Sequence, residues 1–467
     1  MYFKTKLVLF SFVLFLLPTA SGAQSAPAVH PLGPDERYKA DILLIIAHPD
    51  DEGIASPYLA RAIDEGKRVA VAYGTRGGNG SNTAGMEHAA ALADIREIEA
   101  RRALATIGIT NVWFLGGKDT ASQNVLQSLA SWGHGSALEE AVRIVRLTRP
   151  EVIITLLPGV FIGENHGDHQ AAGVIATEAF ELSGDPTVFP AQVTGASRRL
   201  EPFLENLRSW QPKKLYYAMG GGDDAKGKGP EYSITGISKS RNLPFWRLAV
   251  QSFMAHETQA KAYIDSVAKM DEAQLQKMGA ENRWTNPRRF ILGKSLVGGS
   301  MTGDIFEGIS PGAIEPPARR ADIEKPTEKT PDAGFTFQLA GPWGFYDRFR
   351  RAYGLEHIPQ ASPPEIAVQE KTTFYVPLYI RNNLGTQQEV AFSLEMPADW
   401  KLKGDSKYLL RAKEDAQIHL DIDLPAIAAT DATAREQHDI TVRAEAAGKT
   451  VGELKLRVQL RKRALPQ

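Results

Sequence analysis

Apolar and polar positions along the chain follow two rhythms, and the change falls near residue 363. In the first part, short uninterrupted apolar runs alternate with longer stretches of helical periodicity. Ile42 to Ala47, Val69 to Tyr73, Val112 to Leu115 and Val152 to Leu157 read as buried strands. Tyr58 to Glu65, Glu87 to Ile107, Ala137 to Leu147 and Phe245 to Ala262 read as helices, with Gly66 and Gly108 closing the first two. Strands without a polar face, separated by helices of this length, predict an α/β domain: a Rossmann-like, mostly parallel sheet with helices on both faces.

Beyond that point the texture is alternating. Glu365 to Val368, Thr373 to Arg381, Glu389 to Glu395, Ala416 to Leu424, His438 to Ala444 and Glu453 to Gln459 are short runs of strand character, and Asn382-Asn383-Leu384-Gly385 is a turn between two of them. This predicts an all-β, immunoglobulin-like sandwich over 363–467. Residues 311–362 are expected to be a linker, because the stretch from Ser310 to Gly334 is rich in Pro, Ala and charge. Within it, Trp343 to Tyr353 has the pattern of a short amphipathic helix.

The N-terminus has its own pattern. Lys4 and Lys6 precede the apolar run Leu7 to Leu17, then Pro18 and the small residues Ala20 to Ala23. That is the layout of a signal peptide over 1–23, leaving a first domain over 24–310 and an exported product, periplasmic or extracellular. The run is short for a bilayer span, so no membrane span is expected in the mature protein.

Composition narrows the chemistry. A formal net charge of -1 over 467 residues gives no bulk attraction for nucleic acid. With no cysteine, disulfides and Cys-type zinc sites are excluded, so a metal must be held by imidazole and carboxylate.

Two clusters supply those groups. The strand at Ile42 to Ala47 runs directly into His48-Pro49-Asp50-Asp51, and His166-Gly167-Asp168-His169 follows the strand at Val152 to Leu157. Open α/β sheets bind ligands at the carboxyl ends of their strands, where both clusters fall. Asp50 and Asp51 are adjacent, so their side chains point in different directions, and one can bind metal while the other stays free. Spacing alone does not assign the ligands. The Gly74 to Gly80 loop lacks the ending of a P-loop and reads as a βα loop near the site rim. Gly220-Gly221-Gly222-Asp223-Asp224 reads as another loop, with acids able to take a cation. Phe374, Tyr375, Tyr379 and Trp400 can offer a sugar-stacking surface, although alternation assigns most of them to a core.

Ala47-His48-Pro49-Asp50-Asp51-Glu52 together with His166-Gly167-Asp168-His169 resembles the PIG-L/LmbE-like family of zinc-dependent N-acetylglucosamine deacetylases. Arg96 and Glu99, then Leu104, Gly108 and Phe114-Leu115-Gly116, resemble the family's intermediate segment, and His256-Glu257-Thr258-Gln259 and Asp304-Ile305-Phe306 its later ones. The resemblance covers residues 38–310. It implies that His48, Asp51 and His169 hold Zn²⁺, that Asp50 is the catalytic base and a protonated His166 the second catalytic group, and that Arg96 contacts substrate. Glu164 stands where some relatives carry a tyrosine, two residues before the first histidine of the second motif. The implied reaction is hydrolysis of an N-acetyl group on an amino sugar by metal-activated water. Two alternatives stand beside it: a zinc amidase for another N-acyl substrate, and a non-catalytic glycan-binding protein.

Overall fold

The computed structural model describes residues 33–159, 166–193, 206–219, 226–281, 288–310, 312–317, 334–358, 364–428 and 435–462. The expected signal peptide, Glu164 and the Gly220 to Asp224 loop lie outside them.

The first domain is built on β1 (Ile42–Ile46), α1 (Ser56–Asp64), β2 (Val69–Tyr73), α2 (Ala89–Thr106), β3 (Asn111–Phe114), α3 (Val125–Trp132), α4 (His134–Thr148), β4 (Val152–Leu156) and α5 (Gly167–Leu182). It continues through β5 (Lys214–Met219), β6 (Glu231–Tyr232), α6 (Phe245–Phe253), α7 (Glu257–Ala268), α8 (Glu272–Glu281) and β7 (Arg288–Ser295). These strands form one seven-stranded sheet in the order β3-β2-β1-β4-β5-β7-β6. Pairing is parallel from β3 to β5 and antiparallel where β7 joins β5 and β6. All five residues of β1 are fully buried, as are most of β2 and β4, which accounts for their unbroken apolar character. Each buried Leu or Ile contributes about 1.5–3 kcal/mol, so β1 is the strongest anchor for whatever its end carries.

Strand order reverses between β1 and β4. That makes a topological switch point, with a crevice outside their carboxyl ends.

The sandwich consists of β8 (Phe335–Leu339), then β9 (Glu365–Gln369), β10 (Thr373–Asn382), β11 (Gln388–Glu395), β12 (Lys401–Lys403), β13 (Lys407–Leu410), β14 (Asp415–Asp423), β15 (Arg435–Ala446) and β16 (Lys449–Arg461), with α9 (Gly341–Ala352) between β8 and β9. One sheet is β12-β14-β10-β8, the other β13-β11-β15-β16-β9. Phe374 and Trp400 lie in the core between them, Tyr379 is half-buried and Tyr375 is exposed.

Two expectations about segments are corrected. Residues 335–339, expected in the linker, pair antiparallel with β10, because Phe335 and Leu339 find a place in the sandwich core. The single helix expected from Phe245 to Ala262 is two helices, α6 and α7, with the buried His256 between them at the start of the second.

α9 joins the two domains. Trp343 packs on the sandwich core, while Phe349, Tyr353, Leu355 and Ile358 are part of the core of the first domain. The Tyr353 hydroxyl donates to Glu178 on α5 at 3.0 Å. Gln123 and the backbone of Ala367 exchange two hydrogen bonds of 2.8 Å across the same boundary.

Candidate metal and catalytic site

The chain leaves β1 at His48 and turns sharply. Asp51 Oδ2 accepts from the His48 backbone N–H at 2.7 Å, so the first cluster folds on itself. His166 caps α5: its Nδ1 accepts from the Asp168 backbone N–H at 3.2 Å, leaving Nε2 for the crevice. The two clusters meet there. The rings of His48, His166 and His169 have centroids 4.7 to 5.1 Å apart.

Two overlapping donor groups result, His48/Asp51/His169 and His48/His166/Asp168, each with its donor atoms within 4.8 Å of one another. Hydrogen bonds separate their roles. Asp168 is fully buried and both its oxygens are engaged by Thr120, Oδ2 by the backbone N–H at 2.8 Å and Oδ1 by the hydroxyl at 2.6 Å. His48 Nε2 lies 3.3 Å from Asp168 Oδ2 and 3.1 Å from Asp119 Oδ1. These carboxylates place a proton on Nε2 and leave Nδ1, 3.4 Å from Asp51 Oδ2, as the ligating nitrogen. Asp51 Oδ1 lies 3.1 Å from His169 Nε2. His48, Asp51 and His169 therefore fit a divalent metal, and two imidazoles with one carboxylate are a donor set suited to zinc.

The electrostatics favour a cation. Burial opposes protonation of His48, but hydrogen bonds to Asp119, Asp168 and Asp51 outweigh it and raise its pKa well above the usual range. Burial likewise opposes ionisation of Asp51, and His169 and His48 pull its carboxyl well below the ordinary value. Asp50 behaves oppositely. Burial, and then the charge of Asp51, push its carboxyl up to about 7. Adjacent aspartates thus have different states: one is held ionised among the imidazoles, the other poised near neutrality.

His166 is pushed down to about 4 by burial and by the charges of His48 and His169. A metal cation beside His169 would act in the same direction. Because its Nδ1 accepts from the Asp168 backbone N–H, the ring proton of a neutral His166 lies on Nε2.

Asp50 is also held in an unusual backbone conformation, with φ 105° and ψ -24°. A non-glycine residue there costs about 1–3 kcal/mol unless its surroundings enforce it. They do. Glu52 Oε2 accepts from the Asp50 backbone N–H at 2.9 Å and from the Tyr73 hydroxyl at 2.8 Å, and its other oxygen pairs with His256. Gln259 donates to the carbonyl of Pro49.

Arg96, the expected substrate contact, is tied to the Gly-rich loop. Its guanidinium is buried and donates to the carbonyls of Gly77 at 2.6 Å and Ser81 at 2.9 Å and to the Thr258 hydroxyl at 3.4 Å. Nη1 and Nη2 brace the Gly-rich loop and Nε reaches α7, so the side chain ties the loop to that helix. Gly77 has φ 70°, and a Cβ there would stand 2.9 Å from Arg96 Nη1. Glu99 bonds Thr258 through both its backbone N–H and its hydroxyl, locking α2 to α7.

Asp119 was missed in the sequence. It follows Gly116-Gly117 after β3, and its Oδ2 accepts from the Asn79 backbone N–H at 2.7 Å, so one side chain ties the Gly-rich loop to His48. The signal available was its position: a carboxylate just past the end of a central strand.

Fold and site together define an α/β domain with a His/Asp metal-ligating cluster at its switch point, followed by a β-sandwich. Residues 43–180 match the family described as PIG-L: GlcNAc-PI de-N-acetylase. Curated relatives include a 1D-myo-inositol 2-acetamido-2-deoxy-alpha-D-glucopyranoside deacetylase of Streptomyces avermitilis, 29% identical over 60% of this chain and 99% of its own length. The protein of that name from Streptomyces scabiei is 34% identical over 32% of this chain and 50% of its own length. Among solved structures, an N,N'-diacetylchitobiose deacetylase from Pyrococcus horikoshii is 18% identical, with 54% of this chain and 84% of that one covered at a TM-score of 0.36. Several of the curated relatives are matched over about half of their length.

Proposed function

We propose that the protein is a zinc-dependent N-deacetylase that hydrolyses the acetamido group of an N-acetylglucosamine-containing glycan or glycoconjugate. One observation carries the reading: a metal-ligating His48/Asp51/His169 set with a second carboxyl, Asp50, beside it at a pKa of about 7. The substrate in the name of the curated relatives, an acetamido-deoxy-glucopyranoside, supports the choice of bond and sugar.

A zinc ion in the donor set supplies Lewis acidity and lowers the pKa of water toward neutrality. Asp50 takes the proton of the attacking water, for which a carboxyl titrating near neutral pH is well matched. His166 directs Nε2–H at the carbonyl oxygen as negative charge builds there, and a neutral donor avoids placing a further cation among His48, His169 and the metal. Asp50 then returns the proton to the departing amine nitrogen. Acetate and the free amino sugar are the products.

Export is part of the same proposal and rests on Lys4, Lys6 and the run Leu7 to Leu17. An exported enzyme meets glycans of the periplasm or exterior.

Metal-free and zinc-restored protein incubated with a panel of N-acetylated sugars tests the reading. Acetate release that returns with zinc supports it. Sugar and stoichiometric zinc binding without turnover would instead favour a glycan-binding protein.

A further inference from the structure

Residues 119–123 belong to no helix or strand, yet they reach both donor clusters and the second domain. Asp119 Oδ1 lies 3.1 Å from His48 Nε2, and Thr120 holds both oxygens of Asp168. The Ser122 carbonyl accepts from the backbone N–H of Gly167, between His166 and Asp168, at 2.6 Å. Gly167 is also packed tightly there: a Cβ on it would stand 2.9 Å from the carbonyl carbon and oxygen of Asn124 and 2.6 Å from Ser128 Oγ. Contact this close passes any shift of the segment to the turn that carries His166 and His169.

Gln123 is the member of the run that reaches the sandwich. Its Nε2 donates to the Ala367 carbonyl and its Oε1 accepts from the Ala367 backbone N–H, both at 2.8 Å. Ala367 is the middle residue of β9, the last strand of its sheet, which pairs with β16 on its other side. The N–H and C=O of one strand residue point to the same side, so those of Ala367 lie on the open edge. The side-chain amide pairs with them as a further strand would.

Covering a sheet edge is one use for such an amide, but its place in the chain gives it another. β9 is in register with β16 over all five of its residues, so Ala367 is a rigid anchor. Two bonds to one peptide fix the Gln123 side chain in direction as well as distance. The residues just before it are the ones that orient His48 and Asp168, and site geometry has to be held within about 0.5 Å. A segment without backbone ladder bonds of its own takes that precision from what it is tied to.

We propose that Gln123 is a positioning residue through which the sandwich fixes the metal site: anchoring residues 119–123 to β9 sets where Asp119 and Thr120 hold His48 and Asp168. The inference rests on the metal-binding part of the deacetylase reading, and it gives the second domain a share in building the site.

Zinc affinity of the full chain, measured by competition with a chelator well below the unfolding transition, tests this. Gln123→Ala is expected to weaken zinc binding about three- to tenfold, the range for one lost hydrogen-bonded contact. Ala367→Pro lies in the other domain and removes only the N–H that Gln123 accepts, a change an open strand edge tolerates. It is expected to weaken zinc binding about threefold, near the lower end of that range. The double variant should match Gln123→Ala alone, because both changes act on one contact. A residue that merely covers the edge would lower unfolding temperature and leave zinc affinity alone, so parental affinity in both single variants overturns the proposal. Losses that add in the double variant overturn it too, since the two residues would then act separately. The same pattern of zinc affinities in a chain that releases no acetate would sink the deacetylase reading and leave the positioning role standing.

Discussion

Glu52 and His256, 204 positions apart in sequence, form a buried pair. Burial disfavours a charged His256, but the charge and hydrogen bond of Glu52 raise its pKa above the usual value. The pair links α7 to the loop that carries Asp50, and Glu52 is the residue that holds the Asp50 backbone N–H.

Removing one partner of a buried ion pair strands the other. His256→Ala is expected to lose about 3–5 kcal/mol of unfolding free energy, measured by denaturant titration. Glu52→Gln is expected to lower kcat more than it raises KM, since it frees Asp50 to leave its positive φ. Losses no larger than those of a surface substitution would contradict the role.

In the proposed metal site, Asp119 and Asp168 act through His48, whose Nε2 they face. Changing either to Asn removes a charged acceptor from Nε2–H, and zinc affinity is expected to fall about 10–100-fold, the usual effect of losing such a partner. Competition with a chelator of known affinity reads it directly. Unchanged affinity in both variants would mean that His48 is oriented by something else.

Arg96 predicts a loop phenotype rather than a binding one. Arg96→Ala leaves the carbonyls of Gly77 and Ser81 without their donor, so limited proteolysis is expected to cut between Arg76 and Met86 sooner than in the parent chain. Unaltered protection of that segment, combined with a raised KM, would restore Arg96 as a substrate contact.

His134 gives a pH dependence. Its hydrogen bond to Glu178 raises its pKa above the ordinary value against a smaller opposing effect of burial. A raised folded pKa contributes stability that is fully present below about pH 6.5, the unfolded value, and is lost as pH rises through the folded value. Thermal unfolding of His134→Gln should therefore fall below the parent at pH 5.5 and approach it at pH 8.5. A gap that widens with pH would reverse the assignment.

The parts legible in the sequence share a cause. β1, β2 and β4 are buried on both faces and wrote continuous apolar runs, and the donors at the ends of β1 and β4 are grouped within a few residues of each other. β7 was missed because Arg288, Arg289 and Lys294 break its apolar run, and β5 because it opens on the buried Lys214. The short lysine-bearing strands β12 and β13 lie at sheet edges, where polar residues are usual. Asp119 and the Glu52 pair could not be read because their partners are brought near only by folding. The lowered pKa of His166 comes from its burial and from the convergence of His48 and His169, which no spacing encodes.

The account turns on Asp50 doing proton transfer beside a metal it does not hold. Zinc content and acetate release should be measured on the same preparations of the parent chain and Asp50→Asn, with an N-acetylglucosamine oligomer as substrate. The account predicts one zinc in each and turnover about 10²–10⁴-fold lower in the variant, the range for a lost general base. Full turnover in the variant, or loss of its zinc, would contradict it.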